Sequence, residues 1–202
     1  MEAVEKAKEY MKGTTTVGLA CKEGVVLVAD RRATMGSLIA HKEVQKIFQL
    51  DDHIGMTVAG AVSDAQTLVR WIKAEAQLYK LRKGEEISVK GMATLIANVL
   101  HSQRYYPMLL QLIVGGYDSN GGGLYSVDLM GSAIEDRIIS TGSGSPMAYG
   151  VLEDGYRKDL SIDECVDLAK RALRSALGRD AMTGDGMDGV KITKKGYEKI
   201  DL

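Results

Sequence analysis

Apolar and polar positions along this chain change period several times, and each change marks a change of element. Val17-Gly18-Leu19-Ala20-Cys21 and Val25-Val26-Leu27-Val28-Ala29 are short apolar runs separated by Lys22-Glu23-Gly24. The first predicts a strand over Thr15–Cys21. The second predicts a strand over Val25–Asp30 that is apolar on both faces, as in a sheet covered on each side. Gln45–Leu50 and His53–Gly60 read as two more strands about an Asp51-Asp52 turn. The period then becomes helical. Ala65, Leu68, Val69, Ile72, Ala76 and Tyr79 recur on one helical face behind Ser63-Asp64-Ala65-Gln66, a capping-box pattern, and Gly84 supplies a stop. The lone Trp71 falls in this helix and reads as a packing residue. Val89, Met92, Ala93, Ile96, Ala97 and Leu100 form a second amphipathic face after Ser88.

Strand character returns in Met108–Tyr117 and Gly123–Met130, joined by a loop over Asp118–Gly122, and again in Ala133–Ser140. Ser145 is placed to cap a helix whose first position is Pro146. Ser161-Ile162-Asp163-Glu164 is a second capping box, heading a helix with Cys165, Leu168, Ala169, Ala172, Leu173 and Ala176 on its apolar side and Gly178 at its close. Gly189–Ile192 and Tyr197–Ile200 read as a final hairpin. Helices arrive in pairs rather than one per strand, which disfavours a doubly wound parallel sheet. Two antiparallel sheets packed together, with a helix pair outside each, satisfy both the buried strands and the paired helices. The expected class is α+β, a four-layer αββα sandwich.

Composition narrows the function classes. The 202 residues are 45% apolar and 26% charged, enough for one domain with a sizeable core. A net charge of -1 offers no electrostatic footprint for nucleic acid or an anionic membrane. No apolar run reaches the ~18 residues of a membrane span. Met1–Lys12 is charged and helix-prone, unlike a secretory signal, and its Glu2, Glu5 and Glu9 balance Lys6, Lys8 and Lys12. Cys21 and Cys165 sit in apolar surroundings without C-x-x-C spacing, which suits a buried, reduced pair in a cytoplasmic protein.

Several chemistries fail. His41, His53 and His101 have no metal-ligand spacing and no G-x-S-x-G elbow to serve. Gly184-Asp185-Gly186-Met187-Asp188-Gly189 fits G-x-G-x-x-G, but it follows a helix and lies too near the end of the chain to open a βαβ unit; it reads as a turn. Asp185 and Asp188 could meet a cation, although no EF-hand loop surrounds them. Gly13-Thr14-Thr15-Thr16-Val17-Gly18 has two readings. By itself it is the edge of a strand; with the Gly13–Thr14 bond cut, Thr14 would carry a hydroxyl and a free α-amine, a nucleophile with its own base. Asp30-Arg31-Arg32 reads by itself as a solvated strand end. Lys46 and Ile47 should point to opposite faces of their strand, with the buried face left open.

Six blocks in order carry a resemblance. They are G-T-T-T-V-G at 13–18, G-V-V-L-V-A-D-R-R-A-T at 24–34, Lys46 in K-I-F, and V-A-G at 58–60 followed by D-A-Q at 64–66. G-S-G-S-P at 142–146 and R-D-A-M-T-G-D-G at 179–186 complete them. Together they make the chain resemble the proteolytic β subunits of the 20S proteasome, archaeal type, within the N-terminal-nucleophile (Ntn) hydrolases. The resemblance implies a threonine endopeptidase that needs no cofactor and no metal. Thr14 would be the nucleophile, exposed by self-cleavage at Gly13–Thr14, leaving residues 1–13 as a propeptide and 14–202 as the mature domain. Lys46 and Asp30 would activate it, the Gly60 N–H would receive the oxyanion, and Ser143, Asp180 and Thr183 would orient the amine. The family commonly has Ser where Thr183 stands. Ala33, Val44, Phe48, Val58, Val62 and Gln66 match a pocket selecting hydrophobic residues before the cut, and the Thr34 backbone matches the strand that pairs with extended substrate. Implied partners are proteasome α subunits and further β subunits in stacked heptameric rings, a regulatory ATPase ring, and unfolded polypeptides as substrate. A non-catalytic structural ring subunit is the alternative within the superfamily.

Overall fold

The computed structural model describes residues 13–202; the leader Met1–Lys12 lies outside the described residues. One five-stranded antiparallel sheet has the order β10-β1-β2-β11-β12, formed by Ile138–Gly142, Thr15–Ala20, Gly24–Asp30, Met187–Thr193 and Gly196–Ile200. The other has the order β5-β6-β7-β8-β9, formed by Ile47–Asp51, Ile54–Gly60, Leu110–Asp118, Gly121–Val127 and Ala133–Glu135. A small hairpin, β3 (Ala33–Met35) and β4 (Leu38–His41), stands apart from both. Helices α1 (Val62–Lys83) and α2 (Val89–Ser102) cover the second sheet; α3 (Ser145–Gly155) and α4 (Ile162–Leu177) cover the first. This is the αββα sandwich expected from element order.

Strand β2 shows why the sandwich forms. Its alternate residues Val25, Leu27 and Ala29 join Ile113, Leu124 and Ile192 between the two sheets. The intervening Val26 and Val28 pack with Ala148, Leu168, Ala172 and Leu173 under α3 and α4. A strand buried on both faces needs the continuous apolar run that the sequence supplies. The other outer layer is equally dry: Met56, Val58, Leu112 and Val114 meet Leu68, Ile72, Met92 and Ile96. Each large aliphatic side chain so buried contributes about 1.5–3 kcal/mol before conformational entropy is set against it.

Local signals and packing disagree at several points. Ser88 caps α2 by accepting from the Gly91 N–H at 3.0 Å, and Ser161 with Glu164 forms the full capping box of α4. The Ser63 box does not form. Helix α1 starts at Val62 behind Ala61 without a side-chain cap, and the Asp64 carboxylate accepts instead from the Leu109 N–H at 2.9 Å. A cap is worth about 1 kcal/mol, less than burying Leu68 and Ile72, so packing sets the start. Similarly, Ser145 lies inside α3, with Gly144 at the cap. Trp71 is 40% exposed rather than packed, because it falls off the buried Leu68–Ile72 stripe of α1. The single strand expected over Ala133–Ser140 is two: β9 ends at Glu135 in one sheet, and β10 begins at Ile138 in the other. The turn between β7 and β8 is tighter than the expected loop, since Asp118 pairs with Gly121. Met187–Gly189 of the glycine-rich segment belongs to β11 rather than to a turn.

The cysteine expectation is also corrected. Cys21 and Cys165 are joined as a disulfide, with Cα atoms 6.4 Å apart. Packing of α4 across β1 and β2 brings together two residues separated by 144 positions.

Candidate active site

Strands β1 and β2 end side by side, Thr16 opposite Ala29, so Thr14 and Asp30 arrive at the same edge of the sandwich. Asp30 is fully buried, contrary to a solvated strand end. Its Oδ1 accepts from the Thr15 N–H at 2.9 Å and from Lys46 Nζ at 2.7 Å. Its Oδ2 accepts from the Arg32 N–H at 3.2 Å and the Gly184 N–H at 3.0 Å. Four donors on one carboxylate are the condition under which a buried charge is tolerated. Lys46 lies immediately before β5, and it and Ile47 are both buried. The Lys46 side chain is 6% exposed, and its ammonium also donates to the Arg32 carbonyl at 2.5 Å. Burial pushes the Lys46 pKa below its ordinary value; the Asp30 charge and hydrogen bond oppose that shift without cancelling it.

On the other side of Thr14, the Asp180 carboxylate collects two hydroxyls. Ser143 Oγ and Thr183 Oγ1 each donate to Asp180 Oδ2 at 2.5 Å. Thr183 Oγ1 lies 2.7 Å from Thr15 Oγ1, and Ser143 Oγ lies 3.4 Å from the Thr14 carbonyl oxygen. With the Thr183 proton given to Asp180, Thr15 is the donor in its pair. Thr14 itself is 5% exposed, and its hydroxyl donates to the Gly13 carbonyl oxygen at 2.5 Å. The nucleophile candidate thus sits directly on the bond expected to be cut.

A cleft of ≈ 420 Å³ opens beside this cluster, and Gly13, Thr14, Lys46 and Gly60 all line it. Gly60 ends β6 at φ 132, and a Cβ there would run into the Leu109 carbonyl. Only glycine fits both constraints. The family profile described as "Proteasome subunit" matches residues 10–192. The chain belongs to the proteasome subunit family. Curated relatives agree over nearly the whole chain. The proteasome subunit beta of Methanosarcina barkeri is 54% identical over 194 residues, covering 96% of this chain and 92% of the relative. That of Ferroglobus placidus is 57% identical over 193 residues, covering 95% and 92%. That of Methanothermobacter thermautotrophicus is 53% identical over 188 residues, covering 93% and 90%. The fold and the resemblance to archaeal β subunits therefore stand together.

Within this proteasome-family cleft, the remaining expected residues are gathered too. Ala33, Thr34, Val44, Phe48, Val58, Val62 and Gln66 all line it. Val62 is 45% exposed, so it is no core residue, whereas Val58 is buried under α1. Sequence reasoning missed His41, Glu43, Gln45 and Ala65 on the same walls. His41 and Glu43 lie in an exposed segment without hydrophobic period, so no pattern marks them; Gln45 reads as the start of a strand and Ala65 as helix core, neither pointing to a cleft. The cation considered at Asp185 and Asp188 finds both carboxylates engaged, Asp185 with Arg32 and Asp188 with Arg31, each at 2.7 Å. Among the described residues no cluster of three His, Cys, Asp or Glu side chains could hold a metal ion. No described helix is long and apolar enough to cross a membrane.

Proposed function

We propose that this chain is a catalytic β subunit of a proteasome core particle, a threonine endopeptidase that matures by cutting its own Gly13–Thr14 bond. The observation that carries the reading is the placement of the Thr14 hydroxyl, 2.5 Å from the Gly13 carbonyl oxygen, in a cleft shared with Lys46 and Gly60. In maturation, Thr14 Oγ adds to the Gly13 carbonyl carbon and its proton leaves to a base. Collapse of the adduct breaks the C–N bond and leaves an ester on Thr14 Oγ. As that bond breaks the base returns its proton to the Thr14 nitrogen, so the α-amine is free at this stage. Water then hydrolyses the ester, releasing residues 1–13 and restoring the Thr14 hydroxyl. In turnover, that amine takes the Thr14 hydroxyl proton as Oγ attacks a substrate carbonyl, then returns it to the departing amine; water frees the acyl group.

The supporting groups divide the work. The Lys46 cation, held by Asp30, lowers the energy of anionic oxygen beside it. The Gly60 N–H is the oxyanion donor, a contribution of roughly 3–4 kcal/mol where such donors have been removed. Ser143, Asp180 and Thr183 fix the position of the new amine, Thr183 doing with its hydroxyl what Ser does in relatives. The apolar walls from Val44, Phe48, Val58 and Val62 favour hydrophobic residues before the cut, while Thr34 pairs with the substrate backbone. The proposal includes cytoplasmic assembly with α subunits and further β subunits into stacked rings served by an ATPase ring, and no cofactor requirement.

The deciding experiment is intact-mass and N-terminal analysis of the assembled, active particle. A chain beginning at Thr14 is expected, and Thr14→Ala should assemble unprocessed and without peptidase activity. An active particle retaining residues 1–13, or full activity in Thr14→Ala, would overturn the mechanism and favour the structural-subunit reading.

A further inference from the structure

Among the described residues, Asp185 is the single non-glycine with positive φ, at 62. Asp is one of the few side chains that tolerate this region. The unusual backbone has a visible consequence: it turns the Asp185 carboxylate onto Arg32 Nε at 2.7 Å, while Arg32 Nη1 donates to the Ala181 carbonyl at 3.0 Å. The guanidinium plane lies directly against Gly184, where a Cβ would overlap it. Both charged side chains are about four-fifths buried, at 21% and 20% exposure. The main chain of Arg32 faces the other way. Its N–H is shared by Asp30 Oδ2 and the Gly184 carbonyl, and its carbonyl receives the Lys46 ammonium.

Arg32 therefore touches both halves of the centre at once. Through its backbone it holds the Asp30–Lys46 pair; through its side chain it holds the segment that carries Asp180 and Thr183. Neither Arg32 nor Asp185 lines the substrate cleft. We infer that Arg32 and Asp185 form a positioning clamp that sets the distance between the Asp30–Lys46 pair and the Asp180–Thr183 segment, and so aligns the Thr14 centre for its chemistry. This rests on the catalytic reading above. Arginine is required because two divergent N–H groups of one rigid fork must reach a carboxylate and a carbonyl together; a lysine ammonium is a single point on a flexible stem. The charged groups facing the clamp are Asp30 and Asp180 toward Arg32, Lys42 toward Asp185, and Lys46, on whose proton affinity the Arg32 cation acts in the lowering direction.

The test uses the full-length chain in its assembled form, with Arg32→Met, Arg32→Lys, Asp185→Asn and the Arg32→Met/Asp185→Asn double variant. A fluorogenic peptide with a hydrophobic residue before the cut reports kcat and KM, and amide hydrogen exchange reports the segment Ala181–Gly184. Misplacing a reacting group by about 1 Å costs about 100-fold in rate, so kcat should fall about 10- to 100-fold in Arg32→Met and Asp185→Asn while KM stays within about twofold. The double variant should be no worse than the poorer single, since both remove one contact. The pH–rate profile should move to higher pH in Arg32→Met, which loses the cation, and hold its place in Arg32→Lys, which keeps it but still loses kcat. Exchange at Ala181–Gly184 should quicken in every variant. If Arg32→Met fails to assemble, Asp185→Asn carries the same kinetic and exchange readouts alone. Unchanged kcat with unchanged exchange, a loss confined to KM, or additive single losses would each overturn the clamp. If the wild-type particle shows no Thr14-dependent cleavage, the catalytic reading has failed instead, and unchanged loop exchange would still refute the clamp independently.

Discussion

Val25 and Asp30 lie at opposite ends of the same strand, and both are completely shielded from solvent. Around Val25 and Leu27 the space between the sheets is filled by aliphatic side chains. At the Asp30 end hydroxyls and charges take their place: Thr14, Thr15, Thr16, Lys46, Thr57, Thr141 and Thr183 are all buried. The change of chemistry happens within one strand, and it is stitched across the sandwich. Thr57 of β6 donates to Thr16 Oγ1 at 3.0 Å, and Thr16 in turn pairs with Thr141 at 2.6 Å. One end of the sandwich is held by nonspecific burial, which tolerates changes of shape. The other is held by directional bonds, each of which fails when its partner is removed.

Substitutions can separate the two regimes. Asp30→Ala should have the largest effect, because it leaves the Lys46 ammonium buried without its counter-charge; breaking such pairs costs about 3–5 kcal/mol. Denaturant unfolding should show that loss together with loss of peptidase activity. Leu27→Ala should cost about 2–5 kcal/mol through its cavity yet leave kcat per processed Thr14 nearly unchanged. Equal damage to kcat from both would erase the distinction between the ends. Next is a pH effect. Burial favours neutral Lys46, so its ammonium is lost at a lower pH than the ordinary 10.5. Activity that needs this cation should fall as pH rises, with its alkaline limb below that value, and Lys46→Arg should remove the limb even if it slows turnover. A profile that instead gains activity through that range would make the neutral amine the working form. The smallest effect belongs to Thr57→Val, which removes one inter-sheet hydrogen bond of about 1 kcal/mol; a thermal shift matching a cavity substitution would show that the hydroxyl ladder matters more than its bond count.

The two ends also differ in how readily the sequence reveals them. The apolar end is written in local periods: the buried faces of α1, α2 and α4 and the double-sided burial of β2 follow directly from spacing. Local pattern fails where a distant contact decides. Ser63 could cap α1, but Asp64 is drawn to Leu109 and packing starts the helix elsewhere. Ala133–Ser140 looks continuous because nothing local says that its halves belong to different sheets. The hairpin at Ala33–His41 is short and mostly exposed, without alternation to betray it. Cys21 and Cys165 cannot be paired without knowing that α4 crosses β1. At the polar end, Asp30-Arg31-Arg32 looks like any solvated charge run until the Gly184 and Lys46 contacts are seen. The cleft residues were legible through the ordered motifs of a family rather than through any period, and His41, Glu43 and Gln45, outside those motifs, were not.

Strand β1 has a neighbour on each side: Thr15 faces Gly142 of β10, and Thr16 faces both Thr141 and Ala29. A chain end on a sheet margin frays, because half its backbone groups have water for a partner. An end created at Thr14 would begin one residue before a strand already secured along both flanks. Removing the residues ahead of it would therefore change its charge and leave its address the same. The scissors would need no refolding after being unsheathed.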